Sequence, residues 1–168
     1  RLAARIGLVL SDNPEALILE RARESGIPVG VIDCRGFDSR FPPEAQEETV
    51  SALRSADVDL VCLAGFMRLI KSPLLEAFPQ RILNIHPSLL PAYPGLEAWA
   101  QAVRDGAHES GCTVHYVDAG MDTGPVIAQA RVSILPDDTP ESLHARIQAE
   151  EHRLYPEAIA KVARSLGS

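Results

Sequence analysis

Apolar positions along this chain fall into short uninterrupted runs, separated by longer stretches in which they recur every three or four residues. The runs suit strands buried on both faces, and the periodic stretches suit helices with one buried stripe. Ile6 to Leu10 ("IGLVL") is the first run. Ser-Asp-Asn-Pro follows it, predicting a helix from about Pro14 to Ser25, capped by Asn13 and stopped by Gly26 and Pro28. Val29 to Asp33 reads as a second strand, and the stretch from Pro42 as a helix that turns Val50 and Leu53 to the core. Asp59 to Gly65 is a third buried run, Ser72 and Pro73 open a short helix, and Arg81 to His86 is a fourth strand. The helix in "LEAWAQAVRDG" ends at Gly106. Alternation of this kind predicts an α/β fold in which helices wrap a mostly parallel sheet.

The rhythm changes in the last third. Cys112 to Asp118 and Pro125 to Leu135 read as strands, and the "AGMDTG" between them is too short for a helical crossover, so they should pair antiparallel. Thr139 caps and Pro140 opens a C-terminal helix, which Pro156 is expected to break or kink. With 168 residues, 46% of them hydrophobic, one core and one domain over 1–168 are expected.

Charge narrows the partners. A net charge of -7 argues against a nucleic-acid surface or an anionic membrane, both of which demand clustered Lys and Arg. No apolar run approaches the roughly 18 residues of a membrane span. Cys34, Cys62 and Cys112 are odd in number, far apart and without metal-ligand spacing. Buried reduced thiols in a cytoplasmic protein without a metal are therefore the expectation, and the charge still allows a small anionic ligand in a local basic pocket.

The candidate chemistry begins at "NIHPSLLPAYPG", residues 84 to 95. Pro87 forces His86 into the extended region, so His86 ends its strand, where ligands bind in open α/β sheets. Asn84, two residues earlier, shares its face. An amide donor and a titratable imidazole thus stand side by side, unless both only tie down a Pro-rich loop. Asp122, flanked by Gly120 and Gly124, is either a turn-maker or a carboxylate carried to His86. His115 lies mid-strand and reads as a satisfied core or cleft histidine. On the last helix, Gln148, Glu150, Glu151 and His152 border the apolar stripe of Leu143, Ile147 and Leu154. Glu150 falls near the centre of that stripe and Glu151 near its edge, so at least one acid should meet something other than water.

Four ordered blocks, "LAGFMRLI", "NIHPSLLPAYPGL", "TVHYVDAGMDTGPVI" and "IQAEEHRLYP", resemble the phosphoribosylglycinamide formyltransferase family over essentially the whole chain. The resemblance implies a three-layer, doubly wound formyltransferase fold with an antiparallel strand near the C-terminus. It implies a folate-dependent enzyme of de novo purine biosynthesis that moves the formyl group of 10-formyltetrahydrofolate, a co-substrate, to the amine of glycinamide ribonucleotide. Asn84, His86 and Asp122 would be catalytic. Met67, Arg68, Leu69 and Ile70 would hold the pterin by their backbone, with Asn84 beside it. Val117, Asp118, Ala119, Gly120, Met121 and Asp122 would close the other side, and Arg40 matches an arginine of the folate site. Pro87, Gln148, Ala149, Glu150 and Glu151 fall where the family contacts glycinamide ribonucleotide. Glu97 stands where relatives often have His, and no role is carried over to it.

Members of that family open with a strand and a Gly-Ser-rich loop that cradles phosphate on a helix N-terminus; by alignment this sequence begins about two dozen residues later. The expectation is a polypeptide that also carries that segment, as a monomer or homodimer. Rival readings are a formyltetrahydrofolate hydrolase, a methionyl-tRNA formyltransferase, and a folate-binding module without catalysis. The Pro87 to Pro91 and Tyr93 to Gly95 motifs fit the hydrolase less well. The tRNA enzyme would need a basic surface and a second domain. Retention of Asn84, His86 and Asp122 counts against the module.

Overall fold

The computed structural model describes residues 4–36 and 39–167. Strands β1 (Val9–Ser11) and β2 (Val29–Val31) pair in parallel, with helix α1 (Leu17–Glu24) crossing between them. The helix begins at Leu17 rather than at Pro14. Asn13 accepts from the Glu15 N–H at 2.9 Å in a local turn, which takes its oxygen away from capping, and Ala16 becomes the N-cap.

Helix α2 (Pro43–Ser55) opens on proline, as the missing N–H allows, and buries Val50 and Leu53 as predicted. Strand β3 (Val61–Leu63), helix α3 (Leu74–Ala77), strand β4 (Ile82–His86), helix α4 (Ala98–Arg104), strands β5 (Glu109–Tyr116) and β6 (Val126–Ser133), and helix α5 (Pro140–Leu166) follow. Strand β4 pairs parallel to β3, while β5 runs antiparallel to both β4 and β6. The four form one sheet in the order β3-β4-β5-β6, and β1-β2 form another. Among the described residues no ladder joins the two sheets.

Apolar side chains alternate across β4. Ile82 belongs to a cluster with Ala45, Val50 and Leu53 of α2 and Leu74 of α3, against which Leu10 of β1 and the adjoining Leu8 and Ile32 also pack. Ile85 packs on the opposite cluster, where Cys112 and Val114 of β5 meet Leu143, Ile147 and Leu154 of α5. Helices on both faces make three layers. Cys62 departs from the expectation of buried thiols: Cys34 and Cys112 are buried, but Cys62 lies exposed on β3, the edge strand of the larger sheet.

Helix α5 departs from expectation too, running unbroken through Pro156. The ring removes one N–H, yet Leu143, Ile147 and Leu154 before it and Ala158 and Val162 after it are all buried. Burial of one continuous stripe outweighs the single lost bond, at roughly 1.5–3 kcal/mol per fully buried large aliphatic side chain. Thr139 caps the start in a reciprocal capping box with Ser142. Among the described residues no helix is long and apolar enough to cross a membrane.

Candidate active site

The turn after β4 is built by its own sequence. Tyr93, Gly95 and Glu97 have φ of 51°, 84° and 50°, so the chain reverses within a few residues. Thr113 of β5 pins the turn: its hydroxyl donates to the Ser88 carbonyl at 2.7 Å and accepts from the Leu90 N–H at 3.1 Å. Gln129 of β6 adds a bond to the Leu90 carbonyl at 3.0 Å. The folded-back turn sets the Tyr93 carbonyl 2.8 Å from His86 Nε2. Nε2 therefore carries the hydrogen that donates to this carbonyl, and Nδ1 is left for other work.

Asp122 arrives from the loop between β5 and β6. Its φ is 55°, and Gly124 lets the loop close: a Cβ there would sit 1.7 Å from the Tyr116 carbonyl oxygen. Asp122 Oδ2 lies 3.4 Å from His86 Nδ1 and accepts from the Gly95 N–H at 3.0 Å. Its other oxygen lies 3.7 Å from His115 Nε2. His115 stands directly across the ladder from Asn84, whose Nδ2 is 3.4 Å from the same Nε2. His115 Nδ1 donates to the Tyr116 carbonyl at 2.9 Å, which leaves Nε2 as the acceptor toward the Asn84 amide. The two imidazoles are 5% and 2% exposed, so this polar group lies beneath the surface with each ring nitrogen matched to a partner.

Above it opens a cavity of about 1470 Å³. One end is apolar, lined by Phe66, Met67, Leu69, Ile70 and Met121, of which Met67 is 70% exposed. Exposed thioether and aliphatic surface facing a cleft suits a flat heteroaromatic ring. Pro87, Glu97 and Trp99 line another part, with His144, Gln148 and Glu151 of α5, and Tyr155 of the same helical face joins the lining where its hydroxyl donates to the Leu63 carbonyl at 2.7 Å. Burial pushes the Glu151 carboxyl above its ordinary range. Trp99 stacks flat on His144, ring centroids 3.6 Å apart.

The formyl transferase family profile matches residues 1–159. Phosphoribosylglycinamide formyltransferase of Bacillus subtilis (strain 168) is 43% identical over 159 residues, 95% of this chain and 80% of that protein. The chain belongs to the formyl transferase family. The trifunctional purine biosynthetic protein adenosine-3 of Drosophila melanogaster is 50% identical over 157 residues, 94% of this chain but only 12% of that much longer protein. Among solved structures, glycinamide ribonucleotide transformylase 1 from Symbiobacterium toebii superposes with a TM-score of 0.92 at 51% identity, covering 98% of this chain and 76% of that one.

For this formyl transferase, the structure brings Asn84, His86 and Asp122 together at the cavity floor. Arg40, Met67, Arg68, Leu69 and Ile70 line one wall, and Val117, Asp118, Gly120 and Met121 another. Ala119 is not a lining residue; its carbonyl accepts from Lys71 Nζ. Thr123 donates to Asp118 and holds that carboxyl below its ordinary range. Pro87, Gln148 and Glu151 line the far end, whereas Ala149 and Glu150 do not. Glu150 lies on the core stripe by spacing, but its carboxylate swings out to Arg153 at 2.7 Å.

Sequence reasoning took His115 as a satisfied core or cleft histidine, which its bonds bear out, but did not place it beside Asn84, and it missed Trp99 and His144. No local signal sets His115 opposite Asn84, because that placement comes from the antiparallel register of β4 and β5. His144, one helical turn before Gln148, could have been found by extending that face.

Proposed function

We propose that the chain transfers the formyl group of 10-formyltetrahydrofolate to the amine of N1-(5-phospho-D-ribosyl)glycinamide, the step of purine biosynthesis named by its relatives. The observation carrying this reading is the convergence of the Asn84 amide, His86 and Asp122 where an apolar slot meets an acidic one. Met67, Leu69 and Met121 offer the pterin an apolar face. Glu151 offers the glycinamide ammonium a counter-charge, and that ammonium gives one proton to solvent before the free amine attacks.

The amine nitrogen bonds to the formyl carbon, charge develops on the formyl oxygen, and the bond from that carbon to N10 of the folate then breaks. Asn84 Nδ2 donates to the oxyanion. Such a donor commonly contributes about 2.7–4 kcal/mol in the transition state. His86, its Nε2–H already committed to Tyr93, turns Nδ1 to the reacting centre, where a proton shared with Asp122 serves both oxyanion and leaving group. The proton that leaves the amine is balanced by the one N10 gains. No metal enters this scheme, and unpaired cysteines fit a cytoplasmic setting.

The test is formyl transfer by the purified full-length polypeptide. Asn84→Ala should lower kcat about 10²–10³-fold, His86→Ala should abolish turnover, and Asp122→Asn should reduce it sharply. Formyl release to water at one rate with and without glycinamide ribonucleotide would instead establish a hydrolase.

A further inference from the structure

The loop from Asp118 to Gly124 carries Asp122, yet few of its residues are buried: Asp118, Ala119, Gly120 and Met121 are all exposed. Apolar packing therefore does not fix it, and polar bonds must. Inside the loop, Asp118 Oδ1 accepts from the Gly120 N–H at 2.9 Å and from the Thr123 hydroxyl at 2.6 Å, which sets a tight bend. From outside, the Gly95 N–H holds the Asp122 end. At the other end, Lys71 Nζ reaches across the cavity mouth and donates to the Ala119 carbonyl at 3.0 Å.

What makes this lysine more than a surface contact is where its backbone is anchored. The Lys71 N–H donates to Gln46 Oε1 at 3.2 Å, and the same amide donates through Nε2 to the Phe41 carbonyl at 2.8 Å. Gln46 is 1% exposed in α2. One buried glutamine thus fixes the 39–42 wall and the base of Lys71 together, and the ammonium extends from a rigid point.

We infer that Lys71 is a positioning residue for Asp122, its ammonium latching the Ala119 carbonyl so that the loop holds the carboxylate against His86. The charged donor strengthens the bond relative to a neutral one. The catalytic consequence rests on the formyl-transfer reading, but the latch does not, so the two fail separately.

The test compares Lys71→Ala, Lys71→Arg and, as an exposed-lysine control, Lys161→Ala in the full-length polypeptide. Ligand-free hydrogen exchange of peptides covering 117–124 should quicken about fivefold in Lys71→Ala, recover in Lys71→Arg, and stay unchanged in Lys161→Ala. In turnover, Lys71→Ala should lower kcat about 3- to 10-fold, by the same factor with a formyl donor lacking its glutamate tail. Unchanged loop exchange overturns the latch. So does a defect confined to the KM of the donor that vanishes without the tail, because Lys71 would then be a tail-binding residue. Absence of formyl transfer in the unsubstituted protein would remove the functional reading, and exchange would still decide the latch.

Discussion

At Glu151 stability and the proposed ammonium site pull against each other. The carboxyl is raised by burial, so folding penalises the charged form relative to the unfolded chain. The sign follows: its contribution to stability is full below its ordinary pKa of 4.5 and is lost as pH rises through the higher folded value. Glu151→Gln should therefore raise Tm at pH 7 by up to a few degrees, with the gain disappearing near pH 4. The same variant should raise the KM for glycinamide ribonucleotide about 10- to 100-fold, the scale of a lost charged hydrogen bond. A neutral-pH Tm below that of the unsubstituted chain would show that Glu151 is already paired. Trp99 supplies a second residue-scale measurement, because it is the only tryptophan of the chain and stacks on His144. Burial holds His144 below its ordinary 6.5, so a neutral ring faces the indole at pH 7. Protonating it should quench Trp99 emission with a midpoint below pH 6.5, and His144→Ala should abolish that titration.

At the scale of elements, the join between β6 and α5 rests on Asp138 as much as on the cap. The Arg146 guanidinium grips Asp138 through two nitrogens at 2.6 Å, and its Nη2 also reaches the Ser133 carbonyl at 2.7 Å. That grip, with the Leu135 N–H and Ser142 hydroxyl, holds the Asp138 carboxyl far below the carboxylate range. Its stabilisation is present above the ordinary 3.8 and is lost only as pH falls through the depressed folded value. Asp138→Asn should thus lower Tm from neutral pH down through pH 4, with the difference shrinking only at stronger acidity. Thr139→Ala, which removes the cap, should cost about 1 kcal/mol in denaturant unfolding at any of these pH values. The helix start was legible because Thr139-Pro140 is a local signal, and the same holds for α2 at Pro43. The start of α1 was misread because Asn13 had two local uses, and only the folded chain decides which is taken. Likewise Asn84 and His86 could be paired from their spacing on one strand. Bringing Asp122 and His115 to them required the antiparallel register, a non-local fact that no window of sequence contains.

For the whole molecule, the question is what holds two sheets that share no ladder among the described residues. Apolar packing spans them, since Leu8, Leu10 and Ile32 lie against the cluster containing Ile82 and Leu74. Arg68 is the polar counterpart. Its Nε meets Asp12 Oδ2 at 2.6 Å beyond the end of β1, and its Nη1 donates to the Arg40 carbonyl at 2.6 Å. One side chain from the loop after β3 therefore ties the small sheet and the 39–42 wall to the larger sheet. The Arg68 side chain is 11% exposed and that of Asp12 29%, so the pair is only partly screened. Removing the guanidinium strands a carboxylate in a place where water reaches it poorly, and Arg68→Met should cost about 1.5–3 kcal/mol. Because residues 67–70 line the cavity, the same change should, under the proposed formyl transfer, raise the KM of the folate donor while leaving the kcat at saturation nearly intact. Saturating donor should then restore part of the lost Tm, since a ligand held between the 39–42 wall and the larger sheet binds only the folded arrangement. An unchanged Tm in Arg68→Met would mean that the apolar cluster alone joins the sheets. A fall in kcat without a change in KM would mean that Arg68 acts on the Asn84–His86–Asp122 geometry rather than on the wall it supports.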